Sequence, residues 1–125
     1  MLMDSTAPGA DTLAGRHLER DETLDVAVRC RYSMFRSDGG EAPAIVAVTD
    51  RRVVVIANGL ISGIVATLSP AGLRCSVQHS MFESYLELAG PSGYVMVSAT
   101  PVEGDRIASA VDRLLASRRH QTDGS

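Results

Sequence analysis

The stretch Leu24-Asp25-Val26-Ala27-Val28-Arg29-Cys30-Arg31-Tyr32-Ser33-Met34 sets its larger apolar residues at every second position. Leu24, Val26, Val28, Cys30, Tyr32 and Met34 alternate with Asp25, Ala27, Arg29, Arg31 and Ser33. A period of two puts each set on its own side of a pleated chain, so this is a long β-strand with one buried face. Outward from it the same signal repeats at short intervals. The turn-rich SDGGEAP (37–43) leads to AIVAVT (44–49), and a tight Asp50-Arg51 connection leads to RVVVIAN (52–58). GIVATL (63–68), LRCSVQ (73–78), FESYLELA (82–89) and YVMVSA (94–99) follow, separated by turns such as Ser69-Pro70-Ala71-Gly72 and Gly90-Pro91-Ser92-Gly93. About seven short strands at regular spacing predict a closed or nearly closed antiparallel β structure.

After Pro101 the period lengthens to that of a helix. Ile107, Ala110, Val111, Leu114 and Leu115 share one face over residues 105–118. Asp105 at its start and Arg118 and Arg119 at its end suit the helix dipole. The expected fold is therefore mainly β (α+β), a barrel of about seven antiparallel strands capped by one C-terminal α-helix. Its inward set is Val26, Val28, Cys30, Val46, Val48, Leu86, Leu88, Val111 and Leu114. Residues 1–15 read as a disordered tail, 16–119 as the domain and 120–125 as a frayed end. Within 11–20, Leu13, His17 and Leu18 fall on one side of a short helix that Gly15 weakens.

The bulk numbers agree with one globular domain of 125 residues, 45% hydrophobic and 22% charged. Net charge is −3, which argues against nucleic acid as a partner. All 12 basic residues are arginine. Residues 1–25 set Arg16 and Arg20 against six acidic residues, whereas 29–52 hold five arginines against Asp38, Glu41 and Asp50. The N-terminus has neither a basic start nor an apolar run, and no stretch approaches the ~18 residues of a membrane span, so the expected location is the cytoplasm.

Two segments carry a family resemblance. One is Leu18-Glu19-Arg20-Asp21-Glu22 ahead of the first strand, and the other is the hairpin Val48-Thr49-Asp50-Arg51-Arg52-Val53. With the closing helix they resemble the bacterial pleckstrin-homology-like and GRAM-related domains over roughly residues 16–119. The resemblance implies a two-sheet barrel plugged by the helix, with no catalysis and no cofactor. Relatives often bind phosphoinositides through basic residues in the first two strands. Arg29 and Arg31 match part of that motif, while Glu41, Ala42, Pro43 and Ala44 do not continue it. Headgroup-specific binding is therefore not expected, and weak contact with an anionic membrane is the lipid alternative.

Several residue groups qualify as candidate sites. Arg29, Arg31, Arg36, Arg51 and Arg52 form an anion or partner patch if the first hairpins gather them, and a solvated strand face if not. Strands 44–49 and 52–58 are apolar on both faces, so Ile45, Val54 and Ile56 need a cover. That cover is a second copy, another protein, or the N-terminal segment around Leu13 and Leu18. Cys30 and Cys75 lie in apolar phases and read as buried thiols. Cys75 with His79 is the one pairing that an enzyme could use, and the spacing along a strand sets the two far apart. His17, His79 and His120 have no metal-ligand spacing. The expected function is a non-catalytic binding or assembly module acting through protein contact or self-association.

Overall fold

The structure is a computed structural model, in which residues 9–33, 40–59 and 62–123 are described. Seven strands form one antiparallel sheet: β1 (Leu24–Ser33), β2 (Glu41–Thr49), β3 (Val53–Asn58), β4 (Ser62–Leu68), β5 (Arg74–His79), β6 (Ser84–Gly90) and β7 (Gly93–Ala99). Helix α1 (Ala10–Gly15) precedes them and α2 (Pro101–Asp123) closes the chain. The order β4-β3-β2-β1-β7-β6-β5 puts β1 at the centre. β1 pairs with β2 along nearly its whole length, and its C-terminal part also pairs with β7 through Arg31–Ser98 and Tyr32–Val97. The sheet bends so that β4 packs near β7, and it is not closed by pairing between β4 and β5. Seven antiparallel strands and one long closing helix match the expected fold class and are consistent with a pleckstrin-homology-like barrel.

The concave face carries the main core. Val26, Val28, Val46, Val48, Val53, Val55, Leu86, Leu88, Val95 and Val97 meet Ile107, Ala110, Val111 and Leu114 of α2 there. Every residue of the inward set is in this cluster, with Cys30 partly buried against it. A sheet with an apolar side needs a second layer, and the apolar stripe of α2 supplies it.

The opposite face of the first three strands is apolar as well. Ala27, Ile45, Ala47, Val54 and Ile56 form a second buried cluster with Ala14, and Ala10 and Leu13 of α1 pack against it. Helix α1 thus lies within residues 1–15, where a tail was expected. It is too short to be stable alone. Docking on the sheet holds it, and the small Ala14 permits close approach.

Helix α2 also departs from its expected bounds, starting at Pro101 instead of 105 and running to Asp123. Its start is N-capped by Thr100, within the Thr-x-x-Glu signature of a capping box. The Glu103 amide donates to Thr100 Oγ1 at 3.3 Å, and Thr100 Oγ1 donates to Glu103 Oε1 at 2.9 Å. Pro101 occupies the first helical position, where its missing N–H costs nothing. The Thr-Pro-Val-Glu sequence of 100–103 carries this signal, and the Asp105 start overlooks it. Strand β2 begins at Glu41, not 44, and Pro43 is tolerated because pairing with β3 starts only at Ala44.

Helix α2 packs tightly against the sheet at Gly104. A Cβ there would lie 2.7 Å from the Ser84 Cβ. Gly104→Ala is therefore expected to destabilise the fold by about 1–3 kcal/mol through overpacking, against the gain that helix propensity alone predicts. A higher melting temperature for this variant would contradict the close approach. Ala14→Glu places a carboxylate on the outer apolar cluster, with an expected loss on the order of 2–4 kcal/mol and increased dye binding by exposed apolar surface.

Candidate functional site

The two segments that carry the family resemblance meet at one end of the sheet. Glu22 comes from the approach to β1, and Thr49 to Arg52 form the β2–β3 turn. The shielded Glu22 carboxylate accepts from Arg52 Nε at 2.8 Å and Arg52 Nη2 at 2.9 Å. It also accepts from Thr49 Oγ1 at 2.6 Å and from the Glu19 amide at 3.0 Å. Thr49 Oγ1 in turn accepts from the Arg51 and Arg52 amides, both at 3.0 Å. Asp50 Oδ1 accepts from the Thr23 amide at 2.9 Å. Beside this cluster Arg51 makes a bidentate pair with Asp21 at 3.0 and 3.1 Å. Every position of Thr49-Asp50-Arg51-Arg52 is used to tie the turn to the acidic segment.

This consumes part of the expected arginine patch. Arg52 retains 17% side-chain exposure and Arg51 is engaged by Asp21, so neither is a free anion ligand. Arg29 and Arg31 are exposed on the outer face of β1 beyond its contact with α1. Leu24 of β1 pairs with Thr49, and seven residues at about 3.3 Å each separate Leu24 from Arg31. The structure therefore splits the five arginines between two places, while Arg36 lies outside the described residues. Ile45, Val54 and Ile56, the candidate association face, are buried beneath α1 within the chain. Of the covers that the sequence allowed, the structure shows the N-terminal segment.

Cys75 and His79 do not pair. The His79 ring lies 2.6 Å from Ser84 Oγ through Nδ1 and 3.5 Å from Asp105 Oδ1 through Nε2. Burial pushes the Cys30 thiol up to about 12 and the Cys75 thiol to about 11, which leaves both protonated and poorly nucleophilic at neutral pH. The Ser84–His79–Asp105 alignment has the residue types of a hydrolase triad with the exposures reversed. Ser84 is fully buried against Gly104, whereas the Asp105 carboxylate is in solvent. A nucleophile must reach its substrate, so these groups act as an anchor from the β5–β6 hairpin to the first turns of α2.

What that anchor positions is the most unusual surface of the domain. The turn Ser80–Glu83 is locked by the Ser80 amide donating to the Glu83 carbonyl at 2.8 Å and the Glu83 amide donating to Ser80 Oγ at 3.3 Å. At its tip Met81 is 84% exposed and Phe82 79% exposed. Val102, in the first turn of α2, is 71% exposed. Phe82 and Glu83 border a hollow of about 290 Å³ with Arg29, Arg31, Thr100 and Glu103. Val102 borders a separate groove with Val26, Asp105, Arg106, Ser109 and Arg113. The sequence reading puts Phe82 in the strand, because it is in phase with Ser84, Leu86 and Leu88. Ser80 is the turn former after β5, and β6 begins only at Ser84, which leaves Phe82 in the turn and exposed. Among the described residues, no helix is long and apolar enough to cross a membrane.

The Glu22 cluster generates a pH dependence. Hydrogen bonding from Arg52 holds the Glu22 carboxyl down at about 2 against an ordinary 4.5. A depressed carboxylate contributes stability that is complete above pH 4.5 and is lost as pH falls toward 2. That contribution is on the order of 2 kcal/mol, discounted for the partial exposure of Arg52. Glu22→Gln is expected to destabilise the fold at pH 7 and to flatten its stability profile below pH 5. An unchanged acid limb in denaturant titrations would contradict this assignment.

No protein-family model matches the chain, and no curated protein gives a significant sequence match.

Proposed function

We propose that the chain is a non-catalytic binding module of pleckstrin-homology-like type, and that it engages protein through the β5–β6 turn that exposes Met81 and Phe82. The observation that carries this reading is the exposure of Met81 and Phe82 on a hydrogen-bonded turn. Large apolar side chains held rigidly in water cost free energy in the isolated domain, and clustered exposure marks an interaction surface. Aromatic and methionine anchors are what protein interfaces enrich at their centres. Pre-organisation by the locked turn and the His79 anchor lowers the entropic cost of docking.

A catalytic reading has less support, since the thiols are held protonated and Ser84 is inaccessible. A lipid reading draws on Arg29 and Arg31 beside Phe82, but Glu83 and Glu103 border the same hollow and would be repelled by an anionic bilayer. Two free cysteines suit a reducing compartment such as the cytoplasm.

The test replaces Phe82 with a photoreactive phenylalanine analogue in the full chain and irradiates it in cells. Protein adducts are expected at position 82 and not at Glu87, on the polar face of β6. Flotation of the chain with phosphatidylserine-containing vesicles, abolished by Phe82→Ser, would replace the protein reading with a membrane one. Absence of any adduct would overturn it.

A further inference from the structure

Independently of the hairpin tip, we infer that the outer face of β1, β2 and β3 is a second protein-docking surface, closed by α1 in this structure. Its occupant is a longer amphipathic helix of a partner protein, which displaces α1. The apolar face is wider than its present cover. Cross-strand pairing sets Arg29, Ile45, Ile56 and Ile64 in one row, and Ala27, Ala47, Val54 and Thr67 in the next. Ile45 and Ile56 are buried, while Ile64, which continues their row on β4, is 48% exposed. The six residues of α1 span about 9 Å. From β1 to β4 the sheet takes three inter-strand steps, about 14 Å, so α1 is too short to cross the whole face. A helix of three or four turns buries what α1 buries and Ile64 besides.

Helix α1 is also weak at both ends, where its surroundings would allow it to be strong. Gly9 holds the N-cap position in extended backbone and supplies no side-chain cap. Gly15 lies inside the helix, and a Cβ at either glycine meets open space. Gly9→Ser and Gly15→Ala would firm the helix without steric cost. Its apolar grip on the sheet is Ala10, Leu13 and Ala14, two of them alanine. Its backbone bonds are internal, the Leu13 amide donating to the Gly9 carbonyl at 3.1 Å and the His17 amide to the Ala14 carbonyl at 2.9 Å. Undocking need not break them. The chain after it is tied down separately, since Asp21 and Glu22 hold Arg51 and Arg52. Helix α1 can therefore swing away on His17 and Leu18 while the β2–β3 turn keeps its partners.

The same face sets the chemistry of the occupant. What seats there in this structure is a helix with small residues at i and i+4 and a leucine at i+3, namely Ala10, Ala14 and Leu13. Those spacings share one helical face. At the β1 end the face is bordered by Arg29 and Arg31, both exposed and on one side of the strand. The partner helix accordingly carries acidic residues beside its apolar stripe. The concave face offers no such seat, because α2 fills it.

The test is fluorescence anisotropy of a synthetic peptide against the full chain. The peptide repeats the Ala–Leu–Ala spacing of α1 over four helical turns and ends in two glutamates. It binds only the open form, so its apparent affinity falls as α1 is firmed and rises as α1 is loosened. Gly9→Ser with Gly15→Ala is expected to raise the melting temperature and to weaken binding about five- to tenfold. Leu13→Asp is expected to tighten binding about tenfold, with circular dichroism showing the sheet intact. If that variant does not fold, the glycine pair decides alone. Ile64→Asp is expected to leave the melting temperature near that of the wild type and to weaken binding about tenfold. Phe82→Ser is expected to leave peptide binding unchanged, which separates this surface from the hairpin tip. A peptide that does not bind, or that binds the glycine pair as tightly as the wild type, would overturn the inference. Concentration-dependent dimerisation of Leu13→Asp that excludes the peptide, read by light scattering, would make the occupant a second copy and overturn the partner helix.

Discussion

Ile45 and Val46 are neighbours in β2, and both are fully buried, on opposite faces of the sheet. The same holds for Val54 and Val55 in β3. A sheet that is apolar on both sides must be covered twice, which antiparallel sheets more often avoid by leaving one face polar. The rest of the architecture answers this demand. Helix α2 lies across the concave face, and α1 lies across the outer face of the first three strands. The helices differ in length because they cover different areas. The concave side collects residues from nearly all seven strands and takes a helix of 23 residues, while the outer cluster needs only the six-residue α1.

The charged groups follow from the same plan. Placing α1 on the outer face brings the chain across the end of β2 before it enters β1, which carries Glu19, Asp21 and Glu22 past the β2–β3 turn. Arg51 and Arg52 meet them there. The motif that carries the family resemblance is therefore explained by folding chemistry, since its residues join the N-terminal segment to the turn. A buried carboxylate with four donors is stable only while all four are present. At the other side of α2, Arg113 Nε donates to Asp25 Oδ2 at 2.9 Å, which ties the helix to the start of β1.

With both apolar faces of the first strands covered and the acidic segment paired, the surface features that remain are few. The second half of the sheet leaves its outer face to tyrosines and polar residues, and its hairpin carries Met81 and Phe82 into solvent. Gly104 and His79 fix that hairpin against α2 from two directions, one by close packing and one through Ser84 and Asp105. The chain is thus divided, with the N-terminal half committed to double burial and the C-terminal half presenting the exposed hairpin tip.

Periodicity alone determined the strand count, the closing helix and the inward-facing residues of β1, β6 and α2, because an alternating pattern in β1 and β6 and a helical one after Pro101 each admit one burial assignment. It also determined that Ile45, Val54 and Ile56 required a cover, since hydrophobicity on both sides of a strand is a local property. Which cover they received was decided by tertiary structure. Ala10 to Gly15 has no helical stability of its own, and only the sheet surface selects that conformation. The arginines illustrate the same boundary. Their types and positions are visible in sequence, but the separation of Arg29 and Arg31 from Arg51 and Arg52 depends on strand direction, and the engagement of Arg51 and Arg52 depends on a segment thirty residues away. Phe82 sat in phase with a buried strand face, and only the closure of the Ser80–Glu83 turn, through one backbone bond and one to the Ser80 hydroxyl, turned it outward.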